Sequence, residues 1–150
     1  MTSFPSENRV YVGAYGYCLD RKGRLLLTRL AKGSGAGSWT LPGGGVLWGE
    51  DPDQALLREM EEETGLVDLE ILSITAVYSH TYHQSPENPL PPLHHIGIIY
   101  HLETPVFKLR NEIEGSTDQC RWLTEKEARS LTLASLGKFA ANLAWPSADV

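Results

Sequence analysis

Cysteine is scarce in this 150-residue chain: Cys18 and Cys120 are the only two. Two thiols do not make a disulfide framework, and they lack the spacing of a zinc site. The expectation is two reduced thiols in a cytoplasmic protein. No apolar run approaches the length of a membrane span. Residues 1–10, MTSFPSENRV, have neither the basic nor the apolar segment of a signal peptide. Basic residues are also few. Thirteen Lys and Arg stand against nineteen Asp and Glu, for a net charge of −6. There is no basic stripe of the kind that neutralises a nucleic-acid backbone, which argues against long DNA or RNA as the main partner. The length is that of one domain, expected over residues 1–150 with a polar tail over 1–8, and it suffices for a hydrophobic core.

The acidic excess is concentrated. Seven acids lie between Glu50 and Glu63. The same stretch predicts a helix over residues 52–64. Asp51 suits the N-cap, Pro52 the first helical position, Gln54 the partner in a capping box, and Gly65 the left-handed position past the end. On that helix Glu59, Glu62 and Glu63 fall at i, i+3 and i+4 and share a face. Leu56, Leu57, Met60 and Thr64 form the neighbouring arc, expected to face the core. Three carboxylates on one face repel each other. A divalent cation turns that repulsion into binding, and hard oxygen ligands suit Mg²⁺ or Mn²⁺. Glycines at both ends of residues 44–66 complete a pattern that points to metal-dependent phosphate chemistry.

The rest of the chain reads as strands with further helices. Residues 9–19 and 24–30 are β-rich, with a turn between them. Residues 31–38 form a Gly/Ser loop, and 39–41 a short strand leading into a turn at Gly43-Gly44-Gly45. Residues 66–82 read as one or two strands, with Ile71, Ile74, Val77 and Tyr78 as inward or central positions. Residues 84–93 are a proline-rich loop, 96–103 another strand and 108–118 a polar loop. Thr124 and Glu127 form a capping box for a helix ending near Ser130. A last helix covers 133–143, with Leu136, Ala140 and Leu143 at core spacing. Strands flanked by helices indicate α/β layering.

The spacing G-x5-E-x7-R-E-U-x-E-E-x-G-U, with U a bulky aliphatic residue, matches Gly44, Glu50, Arg58, Glu59, Met60, Glu62, Glu63, Gly65 and Leu66 without a gap. The chain therefore resembles the Nudix hydrolase family (MutT-like). A Trp-x-Leu-Pro-Gly-Gly lead-in from Trp39 to Gly44, and Trp122 before an acidic helix, are similar to that family too. The resemblance implies an α/β/α sandwich around a mixed β-sheet. It implies Mg²⁺, with Mn²⁺ as a substitute, held by Glu59, Glu62 and Glu63, with Glu50 joining directly or through water. It implies that Arg58 holds a box carboxylate in place; the plainer alternative is a surface i,i+4 ion pair. The catalytic set is expected to be Glu59, Glu62, Arg58 and a general base. That base is expected from the box or from the acidic loop of Glu112, Glu114 and Asp118, with Glu114 the first choice. The chain departs from many relatives at Leu47, three residues before Glu50, where they carry a glutamate. This leaves the number of metal ions open, and Leu47 and Trp48 could instead line substrate or a subunit contact.

Substrate contacts are expected at Gly43, Gly44 and Gly45, whose backbone allows close approach, and at Arg29, Trp39 and Tyr82. Arg29 could meet a phosphate and Trp39 could stack on a base, although a solvated arginine and a core tryptophan account for them equally well. Tyr78, His80, Tyr82 and His83 cluster after a strand and could line a pocket. His94, His95 and His101 are expected to be positions without function. The implied reaction is hydrolysis of a pyrophosphate bond in a nucleoside diphosphate linked to another group. A nucleoside triphosphate, oxidised ones included, leads as the substrate. Dinucleoside polyphosphates, ADP-ribose and nucleotide sugars follow, and a nucleotide sensor without catalysis is the alternative of another class. The partner is thus a small nucleotide, and the family resemblance also admits a homodimer.

Overall fold

A computed structural model describes residues 8–147. All of the expected tail except Asn8 lies outside them. The chain begins with β1 (Arg9–Cys18), whose alternating side chains separate two cores. Ala14 and Cys18 pack on one side with Leu56 and Met60. Tyr15 packs on the other with Leu136 and Ala140. β2 (Leu25–Leu30) does the same in a run of leucines, with Leu26 in the first core and Leu25 and Leu27 in the second.

The remaining elements are β3 (Trp39–Thr40), β4 (Gly43–Gly45), α1 (Pro52–Thr64), β5 (Glu70–Tyr82), β6 (Leu93–Glu103), β7 (Thr117–Leu123), α2 (Glu125–Ser130) and α3 (Ser135–Ala144). They form a four-stranded sheet in the order β4-β1-β6-β5 and a three-stranded sheet in the order β3-β2-β7. β1 and β6 run parallel, and the other pairs are antiparallel. The larger sheet is thus mixed. α1 covers one side of the strands, and α2 and α3 cover the other, giving an α/β/α sandwich.

Several expectations change in the folded chain. Gly43–Gly45 is a strand rather than a turn, because β1 supplies a partner in register: Gly13 opposite Gly45 and Tyr15 opposite Gly43. β6 starts at Leu93, three residues before the expected 96, because β1 pairs with it from Arg9 onward. β5 is one long edge strand with register shifts between Ile71 and Ser73 and between Ile74 and Ala76. Those irregularities and the edge position leave Ile74 58 % and Val77 64 % exposed instead of inward. Asp51 has the extended N-cap backbone for α1 but makes no side-chain cap, so the expected box with Gln54 does not form. The Thr124/Glu127 box forms as expected. The buried arc of α1 is Ala55, Leu56, Met60, Glu63 and Thr64. It includes Glu63 and omits Leu57, which is exposed. Cys18 and Cys120 are buried free thiols, and burial pushes both above the ordinary thiol value.

Candidate active site

Rotation of the α1 arc turns one carboxylate of the acidic face into the protein. Glu63 is 2 % exposed. Beside it, the all-glycine strand β4 leaves room for the neighbouring Glu59. A Cβ on Gly44 would lie 2.7 Å from the carboxyl carbon of Glu59. A Cβ on Gly43 would overlap the carbonyl oxygen of Ala14, and Gly43 stands at φ 138°, where other residues are strained. The bare strand also supplies a donor: Gly43 N–H donates to Glu63 Oε1 at 2.9 Å. The Ser116 hydroxyl donates to Oε2 at 3.3 Å. Burial still dominates and pushes the Glu63 carboxyl up to about 8, with Glu59 and Glu112 raising it further against the Gly43 bond. Glu59, half-buried, is also raised, first by burial; Arg58 opposes the shift and Glu62 and Glu112 add to it.

Arg58 orders the remaining carboxylates. Its Nε and Nη2 donate to Glu50 Oε2 and Oε1 at 3.0 and 2.9 Å, a forked pair. Its Nη1 donates to Glu59 Oε1 at 2.9 Å and lies 3.7 Å from Glu62 Oε1. Nη2 also reaches the Gly45 carbonyl at 3.3 Å. One planar guanidinium therefore ties the loop before α1, the helix face and β4 together. Lysine cannot reproduce that fork. Arg58→Lys is expected to lower the melting temperature by a few degrees, for a loss of roughly 1–2 kcal/mol. Turnover should fall about tenfold or more as Glu59 loses its anchor. Thermal melts and kcat/KM check this, and wild-type values of both would show that the fork is incidental.

Among the described residues, no three His, Cys, Asp or Glu side chains already form a cage for an ion. Arg58 accounts for part of this, since it engages Glu50 and Glu59, and Glu63 is turned to Gly43. The donor set nevertheless fits a hard divalent cation. Glu59 and Glu63 are carboxylates drawn at least partly out of water, and the charge of Glu59 raises the proton affinity of Glu63. Such a pair gains from a cation what it lacks in solvent. Glu62 is exposed, 3.7 Å from Arg58 Nη1.

Glu59 and Glu63 line one part of a cavity of about 710 Å³. Gly43, Gly44, Gly45 and Tyr82 line it as well, so four of the six expected substrate residues come together. Arg29 and Trp39 do not line it. Thr28 and Leu30 do, and strand alternation turns Arg29 away, into a forked pair with Asp118 at 2.8 and 2.8 Å. Trp39 is a 4 % exposed core residue. In the acidic loop, Glu114 is exposed at φ 55°. Glu112 is held instead: its Oε1 accepts from the Thr117 N–H and hydroxyl, both at 3.0 Å, and its charge acts on Glu59 and Glu63. Ser116, Tyr11, Tyr15 and His95 also line the cavity. The sequence held a signal for the tyrosines, namely Tyr at 11, 15 and 17 around Gly13, all on one face of β1.

A comparison with protein-family models matches the NUDIX domain over residues 8–143. The chain belongs to the Nudix family. Among curated relatives of this Nudix protein, an RNA pyrophosphohydrolase of Saccharophagus degradans is 47 % identical over 58 residues, 37 % of this chain and 33 % of that one. An ADP-ribose pyrophosphatase of Methanocaldococcus jannaschii is 31 % identical over 122 residues, 81 % of this chain and 62 % of that one. An 8-oxo-dGTP diphosphatase of Proteus vulgaris is 27 % identical over 115 residues, 77 % of this chain and 91 % of that one. The Nudix chain thus spans from one third to under two thirds of the length of the first two. Among solved structures, a MutT protein from Methanosarcina mazei superimposes with a TM-score of 0.73 at 21 % identity, covering 92 % of this chain and 94 % of that one. At that identity the likeness concerns the fold, which is the α/β/α Nudix sandwich. Among the described residues, no helix is long and apolar enough to cross a membrane.

Proposed function

We propose that this Nudix protein is a divalent-cation-dependent diphosphatase that hydrolyses a pyrophosphate bond in a nucleoside triphosphate, oxidised ones included. One observation carries the proposal. Two carboxylates withdrawn from water stand against a strand without side chains, at the edge of a cavity walled by tyrosines. The Proteus vulgaris relative, whose length the match nearly covers, supports the triphosphate class.

Glu59, Glu62 and Glu63 would hold Mg²⁺, with Mn²⁺ as a substitute. When bound, the ion supplies charge neutralisation at the phosphate oxygens and a water of lowered pKa. The residues of the chain do the rest. Gly43–Gly45 lets the phosphates approach backbone that no Cβ shields. Arg58 keeps Glu59 aimed and keeps Glu50 as a brace for the guanidinium. Glu112, fixed by Thr117, is better placed than the exposed Glu114 to take the proton of the attacking water. A second reading, ADP-ribose as substrate, rests on the Methanocaldococcus jannaschii relative.

A mass-spectrometric product screen separates these readings. Nucleoside triphosphates, oxidised triphosphates, dinucleoside polyphosphates, ADP-ribose and nucleotide sugars would each meet the protein with Mg²⁺ or Mn²⁺. We expect cleavage of triphosphates that EDTA abolishes and added Mg²⁺ restores. Turnover indifferent to EDTA would contradict the mechanism. Binding across the panel without cleavage would instead make the protein a nucleotide sensor.

A further inference from the structure

Tyr15, which lines the cavity, rests on a floor of glycines from three adjacent strands. Gly43 on β4 faces Tyr15, and Gly13 on β1 pairs with Gly97 on β6. A Cβ on any of the three would meet the Tyr15 ring, at 2.8 Å for Gly43 and 3.2 Å for Gly97. The ring of Tyr15 therefore lies flat across the sheet. Its hydroxyl ends at His95 Nε2, 2.7 Å away. The imidazole is ringed by tyrosines, with Tyr11, Tyr15 and Tyr78 at centroid distances of 5.4, 5.5 and 5.3 Å, all near edge-on. Such packing holds the ring in one orientation.

The chemistry of the pair follows from burial. Tyr15 keeps its proton, since burial raises it far above the ordinary value. Burial, and then His80, lower His95, so the imidazole is neutral and carries one N–H. If the Tyr15 O–H donates to Nε2, that N–H is on Nδ1. Among the described residues, no buried side-chain nitrogen or oxygen lacks a hydrogen-bond partner. Nδ1, which has none among the hydrogen bonds of His95, is therefore accessible, and His95 lines the cavity. The surroundings specify what it would meet. Tyr11, Tyr15 and Tyr82 give flat walls, Leu41 and Leu136 add apolar surface, and Arg9 is the one Arg or Lys lining the cavity among the described residues. Arg9 is itself donating to the Pro91 carbonyl. A flat, uncharged ring with polar atoms at its edge suits these walls, and a second phosphate group does not.

We propose that His95, oriented by Tyr15 across the Gly13–Gly43–Gly97 floor, is a specificity-determining residue that donates from Nδ1 to an acceptor on the edge of a heterocyclic base. The inference rests on the nucleotide reading above and names the group that selects its base. His95 lies two strands from β4, about 10 Å across the sheet at the spacing of paired strands.

Two measurements test it together. In ¹⁵N-labelled protein, the His95 imidazole should show the Nδ1–H tautomer. Its resonances should move on addition of guanosine, inosine or adenosine, none of which carries phosphate. In kinetics with Mg²⁺ and the same three bases as triphosphates, His95→Phe should lower kcat/KM about tenfold, the scale of one hydrogen bond to ligand. The loss should fall on KM, and the preference among bases should flatten. Tyr15→Phe keeps its ring on the glycine floor and should release the tautomer and flatten the preference too. It serves as the test if His95→Phe does not fold. Unmoved His95 resonances, or variants that keep the order of preference among bases, would overturn the proposal. A protein that cleaves none of the triphosphates but whose His95 responds to nucleosides would refute the proposed reaction and leave this inference standing.

Discussion

Replacing Glu63 with Gln is expected to reduce cation-dependent turnover by roughly a hundredfold or more, since a metal ligand supplies several kcal/mol at the transition state. The same change should stabilise the cation-free protein at neutral and alkaline pH. Gln keeps an acceptor for the Gly43 N–H and cannot ionise. Burial pushes the Glu63 carboxyl from its ordinary 4.5 up to about 8. A carboxyl that holds its proton more tightly folded than unfolded adds stability that is complete below about pH 4.5. That stability is lost as the pH climbs to about 8. Without cation, the wild-type melting temperature should therefore carry a downward slope across this window that Glu63→Gln lacks. By about pH 8 the variant should lead by roughly 1–3 kcal/mol. Calorimetric melts in EDTA across the window, beside turnover in Mg²⁺, give the answer. Full activity in the variant would remove Glu63 from the ligand set. A variant less stable than wild type at pH 8 would mean that the buried carboxylate is better compensated than its surroundings indicate.

Gly43→Ala should be the most destabilising single substitution near the site. Its Cβ would overlap the Ala14 carbonyl, and φ 138° lies outside the range an alanine tolerates. Both faults act on backbone, which cannot swing aside as a side chain can. A loss of about 3 kcal/mol or more is expected, which lowers the melting temperature by roughly 10 °C in a chain of this size. Turnover should fall with it, because the Gly43 N–H that orients Glu63 shifts. Gly49→Ala is the control. Gly49 also has a positive φ, 81°, but nothing lies within 4 Å of its Cβ position. That variant should lose only about 1 kcal/mol. Equal melting temperatures for the two would show that conformation alone, without the clash against β1, sets the requirement for glycine at 43.

Much of the site was legible because its signals are local. The spacing of Gly44, Glu50, Arg58, Glu59, Glu62, Glu63 and Gly65 is a property of one helix and its two ends, and helical periodicity converts spacing directly into position. Gly65 ends α1 in the left-handed conformation, at φ 78°, as its place after Thr64 predicts. The expected Asp51–Gln54 box failed even there, because a capping hydrogen bond depends on side-chain rotamers that spacing does not set.

The strands were harder to read. Three glycines have no strand propensity, and Gly43–Gly45 becomes β4 only because β1 lies beside it. Ile74 and Val77 are as apolar as core residues, yet they sit on an irregular edge strand and face outward. Glu112 and Glu114 are alike in sequence, and the Thr117 bonds to Glu112 and the exposure of Glu114 distinguish them. Tyr15 and His95 stand 80 positions apart and meet through the parallel register of β1 and β6. The sequence by itself thus determined the family, the acidic helix and which residues could serve as metal ligands. Only the tertiary structure decided which of those carboxylates leave water, which loop acid Thr117 holds and what walls the cavity. The physical reason is that burial and cross-strand register belong to segments distant in the chain, and both arise only when those segments pack.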